Sequence, residues 1–169
     1  MNYEDNDIQV FAEKMNYDIG WVKKLTFINI LISSNMMQTL FSKTQEDLTS
    51  KQWLMLILLL ITKSKSSNPP TLSDLGKTMG CSRQNIKQIA DVLKKKGYIT
   101  FSKSASDKNA IRLVPTQKWF SYLEESEKVT LNILEKIFDG FTDEELLSYF
   151  NGFLKLTNNL NKINEELQK

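Results

Sequence analysis

Arg83, Gln84, Lys87, Gln88 and Lys95 recur on one side of a helical period, and each carries hydrogen-bonding groups that suit a base edge or a phosphate. Arginine or lysine satisfies guanine O6 and N7, and glutamine or asparagine pairs with adenine N6 and N7. This face, with Asn85 beside it, therefore has the chemistry of a major-groove reader. Asp91 shares the face, does not fit that list, and is expected to face a partner side chain. The opposite side is apolar: Ile86, Ile89, Ala90 and Leu93 fall at i, i+3, i+4 and i+7 and form one stripe to bury. Ser82 is placed to cap the first turn and to touch a phosphate, while Cys81 and Ile86 stand at the N′ and N4 positions of a hydrophobic staple. Lys94, Lys95 and Lys96 close the helix, where positive charge suits both the helix C-terminus and a phosphate backbone.

Such a helix needs elements to hold it. Leu72, Leu75 and Met79 mark a short helix just before it, with Ser73 placed to cap its first turn and Gly80 placed to end it in a left-handed turn. After Gly97 the period changes from 3.6 to 2. Tyr98, Thr100 and Ser102 alternate with Ile99, Phe101 and Lys103, which predicts a strand. A polar tip over 104–109 follows. Ala110, Ile111, Arg112, Leu113 and Val114 make a second strand, ended by Pro115. Two strands with a basic tip form a β-hairpin wing sized for a phosphate backbone or a minor groove, with Lys103, Lys108, Asn109 and Arg112 as its candidate contacts. The fold class is mainly α with a small β-hairpin wing, a winged helix-turn-helix.

Charge is segregated along the chain in the same sense. Of 22 basic residues, 12 lie between Lys63 and Lys118 against only Asp74, Asp91 and Asp107, so that segment carries +9 and the remainder −7. Both arginines, Arg83 and Arg112, fall inside it. This is the footprint of a lobe that binds a polyanion. One cysteine and no histidine in 169 residues exclude disulfide frameworks, Cys/His zinc sites and histidine-based triads. No nucleophile–base pair, phosphate loop or metal cluster is visible, so neither an enzyme nor a cofactor is expected. The acidic start has no signal-peptide pattern, and the longest apolar run, Trp53 to Ile61, is far short of the roughly 20 residues of a membrane span. A cytoplasmic location without a membrane partner is expected.

The flanks are helical. Residues 1–18 are expected to form an acidic arm, and from Gly20 to about Ser42 Trp21, Leu25, Ile28, Ile32 and Met36 define one apolar face. Phe27, Ile30, Leu31 and Met37 add a second, so this helix needs more than one partner. Thr49 and Gln52 form a capping box for the next helix, which runs to about Lys63. Residues 63–70 read as a plain linker. After the wing, Thr116 is placed to cap a helix that Gly140 closes. Thr142, Glu145 and Leu146 then start a terminal helix whose stripe reaches Leu167. The chain divides into an arm and dimerisation helix over 1–48, a winged helix-turn-helix over 49–116, and C-terminal dimerisation helices over 117–169.

Element order and residues together resemble the MarR family of bacterial transcription regulators over roughly Gly20 to Leu167. The specific parts are LeuThrSerLysGlnTrp before the second helix, LeuSerAspLeuGlyLysThrMetGlyCysSerArgGlnAsn across the helix-turn-helix, and AspLysAsnAlaIleArgLeuValProThr across the wing. The resemblance implies an α-helical homodimer on double-stranded DNA at a pseudo-palindromic operator, a repressor that a small ligand or an oxidant often releases. It also implies an effector cleft between the dimer helices and the winged lobe, for which Trp21, Met36, Met37, Trp53 and Trp119 are the candidates and a small aromatic molecule the ligand class. Family members often carry Asp-x-Arg in the wing. Here Asp107, Lys108 and Asn109 stand in that place, and asparagine supplies no guanidinium. Cys81, at the positive end of the reading helix, reads either as a redox sensor or as an inert apolar member of the staple. The alternative reading is a protein-interaction module, an adaptor or anti-activator that uses the same fold with its basic face on an acidic partner.

Overall fold

The computed structural model describes residues 10, 13–15, 18–45, 47–65, 69–103 and 111–167. Its elements are α1 (Ile19–Thr44), α2 (Ser50–Lys65), α3 (Leu72–Met79), α4 (Arg83–Lys95), β1 (Ile99–Lys103), β2 (Ile111–Pro115), α5 (Gln117–Ile137) and α6 (Asp143–Glu166). They fall into two compact units, Met1–Phe120 and Ser121–Lys169.

In the first unit the buried apolar residues all lie between Leu48 and Trp119. Met55, Leu56 and Leu59 from α2, Leu72 and Leu75 from α3, and Ile86, Ala90 and Leu93 from α4 meet Ile99 of β1 and Leu113 of β2. Trp119, fully buried at the start of α5, sets its ring edge-on to Tyr98 at 6.4 Å. The strands pair antiparallel from Ile99↔Pro115 to Lys103↔Ile111, the hairpin that the change of period predicts.

The caps explain the boundaries. Asp18 accepts the Gly20 and Trp21 N–H groups and starts α1. Thr49 and Gln52 exchange the two bonds of the expected capping box. The cap of α3 corrects the expectation for Ser73: Thr71 is the N-cap, accepting from the Asp74 N–H while the Asp74 carboxylate accepts from the Thr71 N–H. Ser73 lies two residues farther in, at the second helical position. The reason reaches outside the helix. Thr71 is bridged to Arg112 of β2, and the Leu113 N–H donates to the Pro70 carbonyl at 3.2 Å. Pro70, expected to end a plain linker over 63–70 whose first three residues instead belong to α2, thus serves with Thr71 as a short third edge of the wing.

Thr116 immediately precedes α5, but its hydroxyl donates to the Gly97 carbonyl at 2.7 Å and its N–H to the Tyr98 carbonyl at 3.0 Å. It ties the base of the wing together, which the capping expectation did not foresee. In the second unit, Thr142 and Glu145 form the full capping box of α6, with Asp143 and Glu144 also at its positive end. Phe138, Phe141, Tyr149 and Phe153 make successive ring contacts there at 5.9, 6.3 and 5.1 Å. Neither α1 nor α6 has a buried residue.

Candidate nucleic-acid interface

The turn into α4 is fixed before any functional side chain is placed. Gly80 ends α3 at φ 61° and ψ 33°, a left-handed conformation that suits glycine. Its N–H returns to the Lys77 carbonyl at 3.3 Å and the Cys81 N–H to the Gly76 carbonyl at 2.9 Å, a Schellman closure. Gly76 carries a requirement of its own that the sequence reading passed over. A Cβ there would lie 2.9 Å from the Cys81 carbonyl oxygen, so α3 and the turn approach too closely for any other residue. Ser82 then caps α4, its Oγ accepting the Asn85 N–H at 3.2 Å.

With Ile86, Ala90 and Leu93 buried, the helical rotation places Gln84, Gln88, Asp91 and Lys95 opposite them at i, i+4, i+7 and i+11. Gln84, Gln88 and Lys95 are exposed and Asp91 is half-buried. Asp91 has no hydrogen-bond or ion-pair partner among the described residues, contrary to its expectation. Arg83, Lys87 and Lys94 form a second row toward the wing. Lys94 Nζ stands 4.7 Å from the centre of the Phe101 ring. Arg83, Gln84 and Lys87, with Leu72 and Ile111, line an open cleft of about 440 Å³. Asn85 is half-buried on the other flank.

The basic residues therefore divide by what they already hold. Arg112 donates from Nη1 to the Pro69 carbonyl, and its charge helps keep the Asp74 carboxyl below the usual carboxylate range, an effect led by the Thr71 N–H bond. It braces β2 against the entry to α3, whereas Arg83 has no side-chain partner among the described residues. Lys96 pairs with Asp47, leaving Lys95 as the exposed member of the lysine run without a partner among the described residues. Lys103 ends β1, and Lys108 and Asn109 lie outside the described residues.

The residues put forward for an effector cleft occupy different settings. Trp119 belongs to the core beside Tyr98, and Trp53 packs on Phe41 at 5.5 Å. Trp21, Met36 and Met37 are exposed on α1. Trp21 and Met36 stand about 22 Å apart at the helical rise, too far to line one small pocket of a single chain. Cys81 is half-buried with Sγ 3.4 Å from the Met79 carbonyl oxygen. Among the described residues no group of His, Cys, Asp and Glu could hold a metal, and no helix is long and apolar enough to cross a membrane.

Comparison with known proteins bears on residues 48–111, which match the model of the MarR family. Transcriptional repressor MprA of Escherichia coli (strain K12) is 31% identical over 91 residues, 53% of this chain and 52% of MprA. The chain thus spans about half the length of the curated relative it matches. Among solved structures, CouR from Rhodococcus jostii RHA1 bound to p-coumaroyl-CoA is similar at a TM-score of 0.65, with 15% identity, over 83% of this chain and 92% of CouR. Streptococcus pneumoniae FabT in complex with DNA is similar at 0.61, with 18% identity, over 84% of this chain and 99% of FabT. These two likenesses concern the fold.

Proposed function

We propose, from the premise that the winged helix-turn-helix of this chain belongs to the MarR family, that the protein is a dimeric, sequence-specific DNA-binding regulator of transcription. One observation carries the reading: α4 is capped and buried on one side only, and the side it leaves outward bears Arg83, Gln84, Lys87, Gln88 and Lys95 within a segment of charge +9. Gln84 and Gln88 are one helical turn apart and suit successive adenines. Arg83 suits guanine, and Lys94 and Lys95 suit phosphates. FabT is a solved relative in complex with DNA, and MprA is a repressor, which favours repression as the outcome of binding.

The dimer rests on α1 and α6. Between Leu146 and Ile163, α6 exposes eight large apolar side chains, and each is worth roughly 1.5–3 kcal/mol when fully buried. A second copy supplies the cover. Two reading helices related by a two-fold axis then meet half-sites one DNA turn apart, about 34–36 Å, in a pseudo-palindromic operator in the cytoplasm. CouR is solved bound to p-coumaroyl-CoA, which carries an aromatic ring, and this favours an effector with an aromatic group for this protein too.

The test is binding of purified protein to its own upstream DNA and to a scrambled duplex at two salt concentrations. The regulator reading expects a preference of about a thousandfold or more for one duplex. Equal and steeply salt-dependent binding to both would reduce the lobe to a general polyanion binder. No binding to either would favour an adaptor that offers its basic face to an acidic protein.

A further inference from the structure

At the end of α4 remote from Arg83, three side chains outside the reading face, Lys96, Tyr98 and Lys118, gather around the carboxylate of Asp47. Asp47 lies three residues beyond α1. Its Oδ2 accepts the Tyr98 hydroxyl, its Oδ1 is 3.5 Å from Lys96 Nζ, and Lys96 also donates to the Asp47 backbone carbonyl. Lys118, in the first turn of α5, donates to the Lys96 carbonyl at 2.9 Å and rests 4.5 Å over the Tyr98 ring. Lys96 is the C-cap of α4, and Tyr98 is buried at the base of the wing. The clasp thus joins the end of α1, the end of the reading helix, the wing and α5 at the point where α4 gives way to β1.

An ion pair as exposed as this one contributes little to folding, so stability alone does not account for the Tyr98 hydroxyl and the Lys96 ammonium sharing one carboxylate. Geometry does. The 13 residues of α4 span about 20 Å, and a tilt of about 10° about the C-cap would carry Gln84 through about 3 Å, more than a hydrogen bond tolerates. Ile86, Ala90 and Leu93 hold the helix against the lobe through non-directional contacts, and the bonds to Asp47 add direction at the end from which Gln84 would swing.

We propose that Asp47 is a positioning residue for base recognition: through Tyr98 and Lys96 it fixes the pitch of α4 from the end of α1. This rests on the DNA-binding reading above. The test uses the full chain with the duplex that wild type prefers and a scrambled duplex, and reads both affinities beside the thermal midpoint. Asp47→Ala lowers affinity for the preferred duplex at least tenfold and leaves scrambled-duplex affinity within twofold. Tyr98→Phe, which removes one hydroxyl and no charge, shows a loss of the same kind and serves if Asp47→Ala does not fold. The double variant loses no more than Asp47→Ala alone, since the Tyr98 hydroxyl acts through Asp47. An unchanged ratio between the two duplexes, a parallel fall of both affinities that follows the folded fraction, or additive losses would overturn the proposal. A wild type without sequence preference overturns the DNA-binding reading and this inference with it, whereas a discriminating wild type and an equally discriminating Asp47→Ala overturn the inference alone.

Discussion

Leu56, Leu59 and Trp119 of the winged lobe are 0% exposed, whereas Phe27 of α1 and Phe150 of α6 are 62% and 57% exposed. The residue types are alike. What differs is the number of elements that arrive from elsewhere in the chain. Between Leu48 and Trp119, three helices and a hairpin close over one core, so every apolar stripe finds a facing stripe. Each long helix offers more apolar surface than its own unit covers. The lobe is finished by this chain, and the long helices leave apolar surface that the proposed dimer would cover.

Substitutions can break that contrast from either side. The largest effect is expected at Trp119→Ala, which leaves a cavity in the lobe and costs about 3–5 kcal/mol in urea denaturation. Phe150→Ala should cost far less at protein concentrations where the chain is monomeric; an equal cost would mean that α6 is already covered. Phe150→Glu carries the contrast into assembly. It should convert a sedimenting dimer to monomers and weaken binding to the preferred duplex by about 100-fold, since the second half-site is no longer tethered, while the far-ultraviolet spectrum stays helical.

Gly76→Ala tests how tightly the lobe is closed. The added methyl would meet the backbone carbonyl of Cys81, which has little room to move, and about 1–3 kcal/mol of stability should be lost. Within the reading face, Arg83→Ala should cost about 1–3 kcal/mol and relax preference at one position per half-site, while Lys95→Ala weakens all duplexes alike and flattens the salt dependence. Equal losses on preferred and scrambled DNA for Arg83→Ala would remove its base-reading role.

The smallest effect is a pH dependence confined to the lobe. The Tyr98 hydroxyl, with Lys96 and Lys118 nearby, holds the Asp47 carboxyl below the usual carboxylate range despite some opposing desolvation. The Thr71 N–H and hydroxyl, with Arg112 and Lys77, do the same for Asp74. A carboxyl whose folded pKa is depressed stabilises fully above its unfolded value near 3.9, and that contribution disappears as pH falls through the folded value. Stability should therefore decline below about pH 4, and Asp47→Asn and Asp74→Asn should each flatten the decline in acid titrations followed by fluorescence. An unchanged acid profile in both variants would detach these carboxylates from the stability of the lobe.

Local chemistry was legible in the sequence wherever neighbours in the chain decide it. Ser82 as cap of α4, Gly80 as the left-handed stop of α3, the Thr49–Gln52 and Thr142–Glu145 boxes, the stripe Ile86, Ala90, Leu93 with Ile89 half-buried at its edge, and the change to period 2 after Gly97 all depend on spacings of a few residues. The outward face of α4 followed from the same stripe. Tertiary structure decided the rest because it depends on groups distant in sequence. Thr71 rather than Ser73 caps α3, since residues 70–71 are held by β2 from about forty positions away. Arg112 and Lys96 carry the same charge as Arg83 and Lys95, but Pro69 and Asp47 occupy them, and only their placement in space reveals it. Charge and periodicity state what a side chain is able to do; the fold determines which of those possibilities are already taken.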